Sequence, residues 1–188
     1  LGEETSWKIK GGFKLDRRTS TISASLDASA YYTWLKDMIL WVPTSKQYWR
    51  PVNLSVVDAR GLSLKNTFSY NSSDEKWEVA LIQTYRLSIS TNEANLDEGH
   101  PLFPNDLTIG KQLPYLPEHQ FKTNVVAGYS GFYILLNALY TSDRYITGSN
   151  SYYLQKYWLM HMGAGYKLAF GGYHFRLQFR VKNLLDNS

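Results

Sequence analysis

The chain contains no cysteine. That excludes disulfides, cysteine-ligated zinc and a cysteine nucleophile, and it selects no compartment. No run of about 18 apolar residues occurs, so no transmembrane helix is expected. Membrane-spanning β-strands escape that exclusion, because they cross as short alternating segments. Charge of one sign is also scarce: 20 Lys and Arg stand against 16 Asp and Glu, a net +4. Without a dense basic stripe, nucleic acid is not expected as a partner. His100, His119, His161 and His174 are scattered without metal-ligand spacing. Neither a nucleophile motif nor a phosphate loop is present, so no enzyme is indicated, and no cofactor or metal is assigned. Proline is rare, six in all, and four of these fall between residues 91 and 118. No signal peptide is visible and residue 1 is Leu, so the natural start is expected elsewhere.

What is abundant is aromatic side chains: 15 Tyr, 8 Phe and 6 Trp. Tyr and Trp favour places where one end of the ring is apolar and the other wet, such as interfaces, sugar-binding faces and membrane girdles. They also sit near the ends of alternating segments, at Trp7, Trp34, Trp41, Trp77, Tyr129, Trp158 and Tyr173. That placement fits two membrane girdles.

The alternation is the strongest pattern. In "FRLQFRVK", Phe175, Leu177, Phe179 and Val181 interleave with Arg176, Gln178, Arg180 and Lys182. Period two is a strand with one apolar and one polar face. "TSWKIKGGFKLDR" sets Trp7, Ile9, Phe13 and Leu15 against Lys8, Lys10 and Lys14. "STISASLDASAYYTWLKDMILWVP" alternates until a phase shift near Lys36, which predicts a bulge or a strand leaving its sheet. "ARGLSLKNTFSYN", "KWEVALIQTYRLSIS", "HQFKTNVVAGY", "FYILLNALYTSDRY" and "YWLMHMGAGYKLAF" supply the others. "RRTS", "NSSD", "SG" and "GGY" read as tight turns. "TSKQYWRPVNLS", residues 91–118 and "ITGSNSYYLQK" read as long loops.

The expected fold is therefore all-β, an antiparallel up-and-down meander of about eight long strands. Most segments run to ten or more residues, against five or six for a soluble strand. Ten or more is the length of a tilted transmembrane strand. Short turns on one side and long loops on the other is the outer-membrane barrel pattern. The competing reading is a soluble, aromatic-rich β-sandwich that binds glycans. Strand length and the charged face favour the barrel, with the apolar face toward lipid and the cations lining a hydrated lumen.

"VKNLLDNS" resembles the signature near the C-terminus of TonB-dependent outer-membrane receptors, where it ends the penultimate strand. "LGEETSWKIKGGFKL" is similar to that family's strand opening, although Glu3 stands where proline is usual. "YLPEHQFKTNVVAGYSGFYILLNALYTSDRY" looks like a family hairpin. "WVPTSKQYWRPVNLSVVDARGLSLKNTF" resembles a block of the cobalamin-type receptors of Bacteroidetes. The resemblance runs through essentially the whole chain with its pieces in order.

It implies a piece of a 22-stranded barrel that surrounds a plug. Residues 1–188 would be its C-terminal part, roughly strands 14 to 21, with the plug, the first barrel half and the last strand outside. It implies residence in the outer membrane of a Gram-negative bacterium. It further implies energised import of a scarce large solute, a corrinoid, siderophore or similar. The partners implied are membrane lipid, the TonB complex acting through the plug, the solute itself and, in some receptors, a surface lipoprotein. A passive porin or adhesin barrel is the alternative within membranes. In such a receptor the long loops form the outer mouth, which makes Tyr48, Trp49 and Arg50 in one loop candidate substrate-binding residues. Tyr145, Tyr152 and Tyr153 are candidates in another. Rim bracing is the competing role for both clusters. Asp97, Glu98, Asn105 and Asp106 carry oxygen ligands of the kind calcium takes, but ordinary loop solvation is the commoner explanation for such carboxylates. Asn183 and Asp186 match the family signature and are expected to close the strand end.

Overall fold

The computed structural model describes residues 3–43, 48–93 and 108–186. The strands are β1 (Thr5–Arg18), β2 (Ile22–Pro43), β3 (Trp49–Asn71), β4 (Trp77–Glu93), β5 (His119–Tyr129), β6 (Phe132–Thr141), β7 (Arg144–Tyr145), β8 (Tyr153–Leu154), β9 (Tyr157–Phe170) and β10 (Tyr173–Val181). Eight form one sheet in the order β1-β2-β3-β4-β5-β6-β9-β10, and β7 and β8 form a small separate pair. Every pairing is antiparallel and every neighbour in the large sheet is the next long strand in sequence. The meander follows from its turns. Ser130 and Gly131 (φ 47° and 90°) join β5 to β6, and Gly171 and Gly172 (φ 57° and 81°) join β9 to β10. Two consecutive left-handed residues make the type I′ turn whose twist matches paired strands.

Register carries the facing. One row runs Ile22, Tyr70, Val79, Ala127, Ile134, Ala164, Phe179 across seven strands. A row on the opposite face runs Gly12, Ser29, Ser63, Arg86, Gln120, Thr141, Tyr157. The apolar face is open among the described residues; Leu177 is 71% and Phe179 72% exposed. Among the described residues no second large sheet packs against it, as a sandwich would require. Aromatic pairs mark both ends of this face. Trp77 and Tyr129 meet at 4.6 Å beside the short turns. Tyr140 and Trp158, at 5.0 Å, and Trp7 and Tyr32, at 5.5 Å, lie toward the long connections. Between its aromatic ends the apolar face has a polar break, where Asn66, Gln83 and Thr123 fall in one row. There the Asn66 amide donates to Gln83 Oε1 at 3.4 Å, so two polar groups partner each other.

Two sequence expectations change. Residues 49–55 are not loop; they extend β3 and pair with 37–43 of β2, apart from Asp37 and Ser55. The irregularity near Lys36 is a skipped pair at Asp37 (φ 56°), with the register unchanged on either side. An extra residue on one strand, as a bulge requires, is absent. Lys36 is also the last residue of β2 to pair with β1, and Val56 the last of β3 to pair with β4. Beyond them, among the described residues, β2 and β3 continue as a two-stranded ribbon, on the order of 20 Å long at about 3.3 Å per residue. Separately, the third long connection contains the small β7–β8 hairpin.

The best-buried side chains gather where a long connection folds back on β4. Val57, 1% exposed, pairs with Asn92, and the Leu113 N–H donates to Ser90 O at 2.7 Å.

Candidate functional site

All three long connections leave the same end of the sheet, so that end gathers the irregular chain. The connection between β4 and β5 returns as a short strand-like segment. Gln112 bridges Thr91. The Gly110 N–H donates to Asn92 O (2.7 Å) and the Asn92 N–H to Lys111 O (3.0 Å). Gln112 is 5% exposed. Its Oε1 accepts from the Ser90 N–H at 2.8 Å, which satisfies a donor that the sheet leaves free.

The connection between β6 and β9 is fastened to this segment. The Tyr115 N–H donates to Tyr145 O at 2.7 Å. The Asn150 carboxamide, oriented to satisfy both partners, donates to Gln112 O (2.9 Å) and accepts from Gln112 N–H (3.0 Å). Inside the β6–β9 connection, Tyr145 pairs with Tyr153, and the Ile146 N–H donates to Tyr152 O at 3.0 Å. The Lys156 N–H donates to Asp143 Oδ1 at 2.6 Å. The Arg144 guanidinium lies over the Tyr157 ring at 5.3 Å. Two long connections thus form one body. Tyr152 (68% exposed), Tyr153 and Tyr115 show on its surface, with Tyr145 half-buried beneath.

The structure brings Tyr145, Tyr152 and Tyr153 together and adds Tyr115. No sequence signal marked Tyr115: its segment has neither alternation nor helical period, and its place comes from long-range backbone bonds. Tyr48, Trp49 and Arg50 stand elsewhere, where the β2–β3 ribbon begins its return. Tyr48 and Trp49 are exposed, and Trp49 and Arg50 belong to β3, opposite Pro43 and Val42. In the sheet order β4 lies between the ribbon's strands and the returning segment that carries Tyr115. Asp97, Glu98, Asn105, Asp106 and His100 lie outside the described residues. Among the described residues no cluster of His, Asp and Glu could hold a metal. The Asn183 N–H donates to His161 Nδ1 at 3.0 Å, which ties the turn after β10 back to β9.

Below the connections, the polar face is cationic. Lys8 and Lys10 on β1 and Arg86 on β4 line one groove with Tyr31, Ser63 and Gln120. Lys8 Nζ sits 4.6 Å from the Tyr31 ring centroid. Tyr31 Oη and Ser88 Oγ share a hydrogen bond of 3.2 Å. Further down, Asn137 donates to Asn124 Oδ1 at 2.9 Å, and Lys167 pairs with Glu78.

The solved structures that resemble this chain include two receptors. The ferric yersiniabactin uptake receptor FyuA from Yersinia pestis has a TM-score of 0.61 and 19% identity, over 98% of this chain and 25% of that one. The ferric preacinetobactin receptor BauA from Acinetobacter baumannii has a TM-score of 0.62 and 15% identity, over 97% of this chain and 25% of that one. This chain thus spans about a quarter of the length of either receptor. At these identities the likeness concerns the fold. A comparison with curated proteins yields no match. The family model described as TonB dependent receptor-like, beta-barrel matches residues 1–184. An unbroken eight-stranded meander, polar on one face, apolar on the other and aromatic at both ends of the latter, is what such a wall requires, and the chain belongs to the TonB-dependent receptor β-barrel family.

Proposed function

We propose that this chain is a section of the wall of an energised importer in the outer membrane of a Gram-negative bacterium. The observation that carries the reading is the family match over residues 1–184, on a sheet whose outward face is apolar and uncovered. Its C-terminal place in the barrel, with a plug and further strands contributed by other parts of the protein, is part of the same proposal. The apolar face meets lipid and the polar face lines the passage. The barrel performs no covalent chemistry; a TonB complex acting on the plug supplies the energy.

The solute is large and scarce, of the siderophore or corrinoid kind. The ferric-chelate receptors among the structural neighbours support the siderophore alternative. Tyr115, Tyr152 and Tyr153 on the fused connections, with Tyr145 beneath, present rings to it at the mouth, and Tyr48, Trp49 and Arg50 present a second contact from the ribbon. A surface lipoprotein would meet the same end of the barrel.

Uptake tests the proposal. In cells carrying the intact receptor, ferric-chelate or corrinoid accumulation should require both this protein and TonB. Trp49→Ala and Arg50→Ala should lower it while the amount of folded receptor in the membrane stays constant. Accumulation that persists without TonB would point instead to a passive pore.

A further inference from the structure

We propose that the half of the polar face nearest the long connections holds an anion-binding groove, built by Lys8, Lys10 and Arg86, for a carboxylate- or phosphate-bearing part of the imported solute. The proposal rests on the import reading and deepens it by naming the charge class of what passes.

The groove carries three cations and no carboxylate. None of the three forms an ion pair among the described residues. Elsewhere on the same face Lys14 meets Asp16 at 3.3 Å and Lys167 meets Glu78, while Lys122, Arg176 and Arg180 form no ion pair among the described residues. What sets the groove apart is that three cations line one recess without a carboxylate. Like charges gathered along one wall raise the local potential and draw in an anion. The uncharged groups suit the same task. Ser63 supplies a hydroxyl and Gln120 an amide, both able to donate to anionic oxygens.

The groove is also preformed. Tyr31 lies against Gly61, where an added Cβ would come within 2.6 Å of the ring. The Tyr31 hydroxyl is pinned by Ser88, and the ring in turn carries the Lys8 ammonium at 4.6 Å. Its cations stand on paired strands, so ligand binding need not order a loop first. Arg86 offers a fork that matches two oxygens of one carboxylate or phosphate, and the lysines act as point charges beside it.

The test uses the full-length receptor purified in detergent, with citrate and inorganic phosphate as probes. Lysine acylation is followed by mass spectrometry at Lys8 and Lys10, with Lys122, lower on the same face, as reference. Either anion should slow acylation at Lys8 and Lys10 and leave Lys122 unchanged. Protection by citrate alone, or by phosphate alone, supports the groove and identifies its anion. Arg86→Gln should raise the half-protecting concentration by about tenfold or more, and Arg86→Lys by less. Heat-modifiable gel migration confirms that each variant is a folded barrel. Equal protection at all three lysines, or no protection by either anion, overturns the proposal. So does equal protection in Arg86→Gln. Lys8 and Lys10 that resist acylation in anion-free receptor would mean that the protein's own segments fill the groove, which also overturns it. Because binding is read without energy input, the two readings fail separately. Lost protection with intact TonB-dependent uptake removes the groove alone, and protection with TonB-independent uptake removes the importer alone.

Discussion

Two tyrosines, each laid over the glycine directly opposite on the neighbouring strand, show how single residues shape this wall. Tyr31 faces Gly61 and Tyr133 faces Gly165. An added Cβ at Gly165 would stand 2.5 Å from Tyr133 Cζ and 2.5 Å from Leu177 O. Tyr133 cannot easily yield, because it is 4% exposed and its hydroxyl donates to Gln178 Oε1 at 3.3 Å. Gly165→Ala should therefore destabilise the folded receptor by about 1–3 kcal/mol, the usual cost of overpacking. At Gly11, an added Cβ meets nothing within 4 Å. Gly11→Ala should change stability by no more than about 0.5 kcal/mol. Thermal unfolding of both variants, followed by gel migration, compares them. Equal midpoints would show that the Tyr–Gly contact has no packing role. On the apolar face, Leu81 is centred between Trp77 and Tyr85 on β4. Leu81→Arg should cost about 2–4 kcal/mol and depress folding yield in lipid vesicles, as a cation at the bilayer midplane does. Ser69→Arg, on the polar face beside Ala80, should fold normally.

The strands that could be read from sequence are those bounded by turn chemistry. The segments "HQFKTNVVAGY" and "YWLMHMGAGYKLAF" match β5 and β9 residue for residue, because a Tyr-Ser-Gly turn or Gly-Gly pair stops each of them sharply. The ribbon beyond Lys36 was not legible. Pro51 and its polar neighbours look like loop, since proline cannot donate to a ladder. Here Pro51 pairs with Trp41 of β2, and among the described residues no strand pairs with it on the other side. β7 and β8, at two residues each, are too short to alternate. Of the candidate site, the tyrosines of the β6–β9 connection were visible as composition. Their union with Tyr115 and Gln112 was not, because contacts that cross from one loop to another leave no period in the sequence.

The turn from β3 to β4 was legible, and its chemistry makes a prediction. Ser72 Oγ donates to Asp74 Oδ1 at 2.6 Å, and the Lys76 N–H donates to the same oxygen at 3.3 Å. These bonds, the serine's first, hold the Asp74 carboxyl below its ordinary range. A depressed carboxylate contributes stability above its unfolded pKa and loses it as pH falls through the folded value. The turn should therefore be firm at neutral pH and loosen only below about pH 4. Amide exchange at Lys76 checks this. Asp74→Ala should speed it at neutral pH, and the difference from wild type should shrink in acid. No difference at neutral pH would remove Asp74 from the turn's support.

At the scale of the whole molecule, one sheet separates two environments. β1 and β10 each pair on one side only within this chain, and the apolar face has no cover of its own. Both features suit a segment that continues into neighbouring strands and faces lipid, where every backbone group must find a partner within the barrel. In the proposed barrel the cations on the other face would line the passage, and the aromatic pairs at both ends of the apolar face would sit at the two membrane interfaces. The fused connections and the ribbon of β2 and β3 stand at the same end of the sheet, where the proposed reading puts the mouth.

The most direct measurement of this arrangement is lipid-confined quenching along β4 in the full-length receptor. The stretch carries no native cysteine, so single cysteines at Val79, Ala80, Leu81 and Ile82 can each be labelled with a fluorophore. In vesicles whose acyl chains carry the quencher, labels at 79 and 81 should be strongly quenched and labels at 80 and 82 weakly. Uniform quenching at all four positions, or an inverted alternation, would contradict a barrel wall with its apolar face in the membrane.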